Sequence, residues 1–311
     1  MGFFHSQKHS KVIYLKYLQK ELFTMLAILL IIASCSTSLV EGVLIKKYNG
    51  KHDKGGFIFT AMVSLFSMLF FVITDKGGFD FRPEMLPYGI ISGIFYCSAS
   101  LLTFVALGCG PFTLSMLILS YSGILPISYG IFFLKDKVTV PMVIGIILIL
   151  VSLYLNRAEK KDEDKKASLK WLICIGISFI GSGMVNVIQK MQQLRFENSV
   201  NNEYMIVTLG FSAAVLFIVG FIKDHKDVLY ILRYGGLYSS LAGISNGATN
   251  FITIAVNMLL PISVVSPIRA GTKVVLSFIV SLIIFKEKFV KRQIAGVIVG
   301  AIAIILLNIK L

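Results

Sequence analysis

Two basic side chains lie close together within an otherwise apolar stretch near the C-terminus. Arg269 and Lys273 are four residues apart in the segment VVSPIRAGTKVVLSFIV. In an α-helix this spacing puts both side chains on one face, because residues i and i+4 are neighbours on the helix surface. Arg presents a planar fork of donors that matches a carboxylate or a phosphate. The pair therefore predicts a binding site for an anionic group.

One carboxylate also lies in an apolar stretch, where Glu41 follows the segment LLIIASCSTSLV. A charged side chain in hydrocarbon needs a partner or a wet cavity. Two interpretations are open at this point. Glu41 either carries a proton and balances the charge of the two cations, or forms a structural ion pair with one of them.

Amide side chains recur along another apolar segment. Asn246, Asn250, Thr253 and Asn257 follow one another at spacings of 4, 3 and 4 residues, which keeps them on one side of a helix. Such a stripe predicts a cavity wall that offers hydrogen-bond donors and acceptors to a ligand. The alternative is hydrogen bonding between helices, which contributes only about 0.6 kcal/mol per bond in membranes. Further candidates for the same substrate site are Tyr96, Tyr121, Asn186 and Gln189.

The sequence contains no pattern typical of an enzyme or of a bound cofactor. It has no GxSxG, HExxH or phosphate-loop motif, and its four histidines all lie outside the apolar segments. Its four cysteines form no CxxC pair. We therefore predict neither catalytic residues, nor a metal site, nor a cofactor.

The composition identifies the surroundings of these polar residues. Of the 311 residues, 56% are hydrophobic and 15% are charged, and the mean hydropathy is +0.82. A soluble domain carries about 25% charged residues. The net charge of +14 arises from Lys and Arg between the apolar runs, where lipid headgroups and cytoplasmic loops favour cations. The sequence predicts an all-α integral membrane protein in a lipid bilayer, without a nucleic-acid partner.

Apolar runs of about 20 residues, long enough to cross a bilayer, recur along the chain. Ten spans are predicted, at residues 22–45, 57–73, 86–107, 112–134, 140–155, 169–190, 204–222, 237–260, 262–285 and 289–310. A block of mixed charge divides them into two sets of five. The predicted organisation is a basic N-terminal segment (1–21), a first five-helix repeat (22–156), a charged linker (157–168) and a second five-helix repeat (169–311).

The two halves resemble each other. Asp136 precedes Gly145 by nine residues in the first half, and Glu287 precedes Gly296 by nine residues in the second. Because five spans are an odd number, a second half with the same internal order enters the membrane inverted. Inverted repeats place a substrate site near the middle of the membrane, between halves that rock. If the two halves align with an offset of about 148 residues, Gln189 takes the place of Glu41.

The order of elements in the first half resembles the EamA repeat of the drug/metabolite transporter superfamily. Its third span ends in Ala106-Leu107, a tight corner and a fourth span follow, and the turn before the fifth span holds Asp136 and Thr139. The resemblance covers residues 22–310. It departs from the family at Ser34-Cys35, where a Trp-Gly pair is usual. It implies ten transmembrane helices in two inverted EamA-like repeats, a central cavity, and carriage of a small metabolite or drug without ATP.

The function predicted from these observations is secondary active transport of a small polar, anionic or zwitterionic metabolite by alternating access. One alternative is a proton-coupled exporter of cationic or lipophilic drugs, which two buried cations disfavour. Another is a non-transporting membrane sensor or assembly subunit. The expected partners are a small-molecule substrate, protons and lipid, and the chain is expected to be a monomer or homodimer. The resemblance implies a cell-membrane protein with both termini in the cytoplasm, although the loop Lys and Arg favour the opposite orientation.

Overall fold

The structure, a computed structural model, describes residues 2–52, 55–75, 78, 80, 82–135, 139–156, 169–260, 262–286 and 290–307, with most side chains from residue 25 onward. The predicted linker 157–168 lies outside these residues, as do Asp136 and Glu287. The described part of the chain is helical throughout and contains no strand. The prediction of an all-α protein is therefore confirmed for these residues.

Twelve α-helices follow one another along the described chain. They are α1 (Gly2–Lys51), α2 (Gly56–Thr74), α3 (Leu86–Cys109), α4 (Phe112–Ser120), α5 (Ile124–Phe133), α6 (Val140–Asn156), α7 (Leu169–Arg195), α8 (Asn201–Lys223), α9 (Val228–Tyr230), α10 (Gly236–Leu259), α11 (Ile262–Val280) and α12 (Lys291–Leu307). A single 3₁₀ turn, Tyr121–Gly123, joins α4 to α5, and a π-helical turn, Ser281–Phe285, extends α11. Each of the ten predicted spans is helical where it is described, apart from the end residues Leu134, Leu260 and Val290.

Seven helical segments are long and apolar enough to cross a membrane. They are Met25–Lys51, Gly56–Thr74, Pro83–Cys109, Phe112–Phe133, Leu169–Arg195, Asn201–Lys223 and Ile268–Phe285. Besides the three-residue α9, three other helices fall short of that description, for two reasons. As described, α6 and α12 have 17 residues each. The 24-residue α10 is long enough but carries the amide stripe.

Local sequence explains several helix ends. Gly110 is extended, and Pro111, which has no backbone N–H to donate, precedes α4. The start of α2 is capped from a distance, because the Asp224 carboxylate accepts the backbone N–H groups of Phe57 and Ile58 at 3.0 and 3.3 Å. A negative charge at this position also complements the helix dipole. The cap ties the end of α8 to the start of α2.

The helices pack in pairs. The main partner of α1 is α10, that of α2 is α8, that of α3 is α7 and that of α6 is α12. In addition, α10 packs on α2 and α3 packs on α8. The antiparallel course of α1 and α10 follows from two contacts, since Glu41 meets Asn246 and Tyr48 meets Tyr238.

The two ends of the helix bundle are built differently. At the first, which we call the aromatic end, the rings of Tyr48 and Phe59 stack at 4.4 Å, and Phe104 lies 5.1 Å from Phe59. At the opposite end, which we call the amide end, α7 ends, α8 begins and α10 ends. There the amide nitrogen of Asn201 lies 3.7 Å from the sulfur of Met258. The candidate site lies between these two ends.

Candidate functional site

A cavity of about 220 Å³ lies at the centre of the helix bundle, with walls from α1, α2, α3, α4, α7, α10 and α11. Seven of the residues predicted for the site line it: Glu41, Tyr96, Asn186, Asn246, Asn250, Arg269 and Lys273. They come from five helices that are distant in sequence. Helical periodicity brings Arg269 and Lys273 to one wall, and the packing of α10 against α1 brings Asn246 to Glu41.

Asn246 is the centre of the polar network in the cavity wall. Its amide nitrogen donates to both carboxylate oxygens of Glu41, at 3.0 and 3.1 Å. Its amide oxygen accepts the hydroxyls of Tyr96 at 2.7 Å and Ser67 at 2.8 Å, and the amide nitrogen of Asn250 at 2.9 Å. One side chain of α10 therefore links α1, α2 and α3.

The orientation of the Asn246 amide follows from its surroundings. The Asn250 amide nitrogen also donates to the backbone carbonyl of Asn246 at 3.1 Å, and a carbonyl only accepts. The same nitrogen therefore faces the amide oxygen of Asn246, so the amide nitrogen of Asn246 points to Glu41. In this arrangement Glu41 accepts both hydrogen bonds, as an ionised carboxylate does.

The two cations have a different environment. Among the described residues, no carboxylate lies within 4.0 Å of Arg269 or Lys273, so neither is joined to Glu41 by an ion pair at that distance. The Nε atom of Arg269 is buried without a hydrogen-bond partner in the described protein. The backbone carbonyl of Arg269 accepts the Cys35 thiol at 3.5 Å, which fixes α11 against α1. Two positive groups thus face the cavity while the nearby carboxylate is held by an amide.

Four of the predicted site residues lie outside the cavity wall. Thr253 is buried and donates to the backbone carbonyl of Thr249. Asn257 is buried one turn beyond it. The Gln189 amide lies 3.8 Å from the sulfur of Met205, and Tyr121 donates to the Ser152 hydroxyl at 2.9 Å. The structure therefore does not bring these four side chains to the cavity.

Other residues of the cavity wall carry no signal in the sequence. The end of the cavity nearest the aromatic end is lined by Phe59, Phe104, Leu107 and Met116. Their side chains are of the same types as those of the surrounding core, so only the structure distinguishes them. Ser67, which holds Asn246 from α2, is likewise one of several serines in apolar segments.

Comparison with known proteins agrees with this arrangement. Residues 25–158 match the profile of the EamA-like transporter family. This segment, which is less than half of the chain, is similar to that family. The resemblance of its span order to an EamA repeat is thereby confirmed for this EamA-like segment.

Two other proteins are also similar to this chain, one over a short stretch and one over most of its length. The uncharacterized protein MJ1333.1 of Methanocaldococcus jannaschii is 32% identical over 84 residues, which is 27% of this chain. The matched part spans 56% of that relative's length. A crystal structure of another protein matches 90% of this chain and 95% of its own, with a TM-score of 0.63 and 12% sequence identity. That likeness concerns the fold alone, and it extends beyond the EamA-like segment.

The EamA-like segment and the seven long apolar helical segments together support a multi-pass membrane protein. The family that this segment resembles is one of transporters. The central cavity, with its polar network and its two cations, is the candidate substrate site.

Proposed function

We propose that this protein is a secondary transporter that moves a small polar, anionic or zwitterionic metabolite across the cell membrane by alternating access. The observation that supports the anionic character is the charge arrangement of the cavity. Arg269 and Lys273 face it without an ion pair to any described carboxylate, whereas the Glu41 carboxylate accepts hydrogen bonds from the Asn246 amide. Cations at membrane depth require compensation, and an anionic substrate supplies it. A zwitterion would place its positive group near Glu41.

The size of the cavity favours a small metabolite over a drug. Sites for drug-sized ligands have volumes of about 300–1,000 Å³, and this cavity has about 220 Å³. The two cations would also repel the cationic drugs of the alternative hypothesis. Phe59, Phe104 and Met116 offer an apolar surface at the far end of the cavity. A substrate with one anionic end and a short apolar body would fill both regions.

Ten membrane-spanning helices in two inverted repeats form the architecture of this proposal. The helix pairing supports it. In the proposed repeats α1 corresponds to α7 and α10 corresponds to α3, so the packing of α1 on α10 is matched by the packing of α7 on α3. Ser64 and Ser212, which are 148 residues apart, meet with their hydroxyls at 3.4 Å. Tyr96 and Asn246, 150 residues apart, are hydrogen-bonded. Residues on the twofold axis of an inverted repeat would meet their own counterparts in this way. We propose that both termini lie in the cytoplasm, as the family resemblance implies.

The anion site is tested by removing one charge. In protein reconstituted into liposomes, thermal stabilisation across a panel of organic anions, zwitterions and amines first identifies a ligand. We expect Arg269→Gln to abolish both this stabilisation and the uptake of an anionic ligand. The control is Arg233→Gln, because Arg233 is exposed in the π-helical turn that precedes α10 and does not line the cavity. Unchanged uptake in Arg269→Gln would contradict the proposal, as would a panel in which only amines stabilise.

Glu41 is proposed to couple proton movement to transport, because it is a carboxylate in the cavity wall next to the cations. Glu41→Gln keeps an acceptor oxygen for Asn246 but cannot exchange a proton. We expect substrate counterflow to persist in this variant and accumulation driven by a pH gradient to be lost. If accumulation is unchanged, Glu41 is not the coupling residue. If folding is lost instead, the carboxylate has a structural role.

A further inference from the structure

On α2 and α3 the cavity reaches close to the aromatic end, whereas on α7 and α10 it stops well short of the amide end. On α3 its wall extends to Leu107, two residues before the helix ends at Cys109. On α7 and α10 its last residues are Asn186 and Asn250, each nine residues before the helix ends at Arg195 or Leu259. At 1.5 Å per residue, about 13 Å of closed packing along α7 and α10 separates these residues from the amide end, whereas on α11 the wall begins at Ser266, four residues after the helix starts.

Amide and hydroxyl side chains are buried within this closed packing, beside an apolar cluster that includes Ile188 and Ile254. We call Gln189, Gln192, Gln193, Thr253 and Asn257 the amide segment; all five are buried, with at most 8% of each exposed. In Gln192 and Gln193, neither the amide nitrogen nor the amide oxygen has a hydrogen-bond partner in the described protein.

Unpartnered amides make the closed packing unfavourable, because the water that they would bind is removed and nothing replaces it. The segment is continuous with the cavity, since Gln189 lies one turn beyond Asn186 on α7 and Thr253 lies one turn beyond Asn250 on α10. The aromatic end differs, because Tyr48, Phe59 and Phe104 close it with stacked rings.

We propose that the amide segment is the closed half of the substrate path, and that it becomes the water-filled wall of that path when the amide end opens. This inference rests on the proposed alternating-access function. In the open conformation water satisfies the amides of Gln192 and Gln193. These two side chains therefore shift the conformational equilibrium toward opening, although neither touches the anion site.

Cysteine labelling tests the path directly. Asn257→Cys is introduced into a protein in which the four native cysteines are replaced, and a membrane-impermeant maleimide is applied from each side in turn. We expect labelling from the side of the amide end alone. Ile254→Cys is the matched control, because Ile254 is equally buried on α10 but packs within an apolar cluster, so it is expected to stay unlabelled. Equal labelling of both positions, or of neither, would overturn the proposal.

The role of the unpartnered amides is tested by replacing Gln192 and Gln193 with Met, which has a similar length and no amide. We expect the double variant to label at Asn257→Cys about tenfold more slowly, which corresponds to about 1.4 kcal/mol, and to melt at a higher temperature. Gln293→Met is the control. The Gln293 amide oxygen accepts the backbone N–H of Val290 at 3.1 Å, so its loss should lower the melting temperature without changing the labelling. An unchanged labelling rate in the double variant would refute the proposed bias; if that variant does not fold, Gln193→Met alone decides.

The proposed substrate class and the proposed substrate path can be refuted independently of each other. Labelling of Asn257→Cys requires no substrate, so it can succeed even if the anion panel reveals no ligand. In that case the path stands and the proposed substrate class fails. If uptake of an anion is measured while Asn257→Cys stays unlabelled from both sides, the transport function stands and the path lies elsewhere.

Discussion

The hydrogen bonds between Asn246 and Glu41 make a prediction that can be tested without a known substrate. Asn246→Asp changes one amide nitrogen to an oxygen and leaves the size of the side chain unchanged. The variant loses both donors to Glu41 and places two carboxylates about 3 Å apart, where the structure has 3.0 and 3.1 Å. We therefore expect the folded protein to be markedly less stable.

The expected magnitude follows from the distance and the charges. Two unit charges about 3 Å apart repel by roughly 5.5 kcal/mol at an effective dielectric constant of about 20. The lost hydrogen bonds to a charged group add about 1.5–3 kcal/mol. Structural relaxation and proton uptake reduce this cost, so we expect a net loss of about 3 kcal/mol. For large domains a loss of 1 kcal/mol in the free energy of unfolding lowers the melting temperature by about 2 °C. We therefore expect the melting temperature to fall by about 6 °C.

A second substitution should reverse the loss. In Glu41→Gln with Asn246→Asp, the amide and the carboxylate exchange places, and the hydrogen bond forms in the opposite direction. The new carboxylate still receives the donors of Tyr96, Ser67 and Asn250. We expect the double variant to recover to within about 1 kcal/mol of the parent, whereas independent sites would show additive losses.

The measurement is thermal unfolding in detergent for the parent, both single variants and the double variant. The four melting temperatures form a double-mutant cycle. A double variant no more stable than Asn246→Asp alone would refute the direct contact. A melting temperature of Asn246→Asp equal to that of the parent would show that the two side chains do not meet.

Two further predictions concern helix packing and are checked by the same melting measurement. A Cβ atom at Gly183 would lie 2.8 Å from the backbone oxygen of Ser122, so Gly183→Ala is expected to cost about 1–3 kcal/mol. Gly176 on the same helix has open space, so Gly176→Ala should raise the melting temperature through the helix propensity of Ala; destabilisation at both positions would contradict the packing of α7. Asp224→Ala removes the cap of α2 and is expected to cost about 0.5–2 kcal/mol, whereas Asp224→Asn, which keeps an acceptor oxygen, should lose less. Equal losses in the two Asp224 variants would show that the capping bonds contribute little.

The sequence predicts helical faces well, because those faces depend on local periodicity. Arg269 and Lys273 reach the cavity together because they are four residues apart on one helix. Asn246 and Asn250 reach it for the same reason. Asn257 lies on the same stripe but is buried beyond the cavity. The position of the cavity along the helix axis depends on how the neighbouring helices pack, which spacing within one helix does not determine.

Interactions between distant segments account for the rest. Tyr121 sits in the 3₁₀ turn between α4 and α5, and its partner Ser152 lies 31 residues away on α6. No local pattern connects these two residues. The predicted sixth span stops at residue 190, whereas α7 continues to Arg195 and carries Gln192 and Gln193 inward. The helix continues through these polar residues because their side chains are buried against neighbouring helices.

The Asn246 carboxamide also has a kinetic consequence. It is a cross-link at which α10 holds three helices of the first half, α1, α2 and α3, through four short hydrogen bonds. A rocking movement of the halves would stretch the bonds to all three helices at once, so this small group contributes to the activation barrier of the movement. A ligand whose positive group competes for Glu41 would release part of the cross-link at the moment of binding. Turnover speed, and not only affinity, would then depend on a side chain that carries no charge.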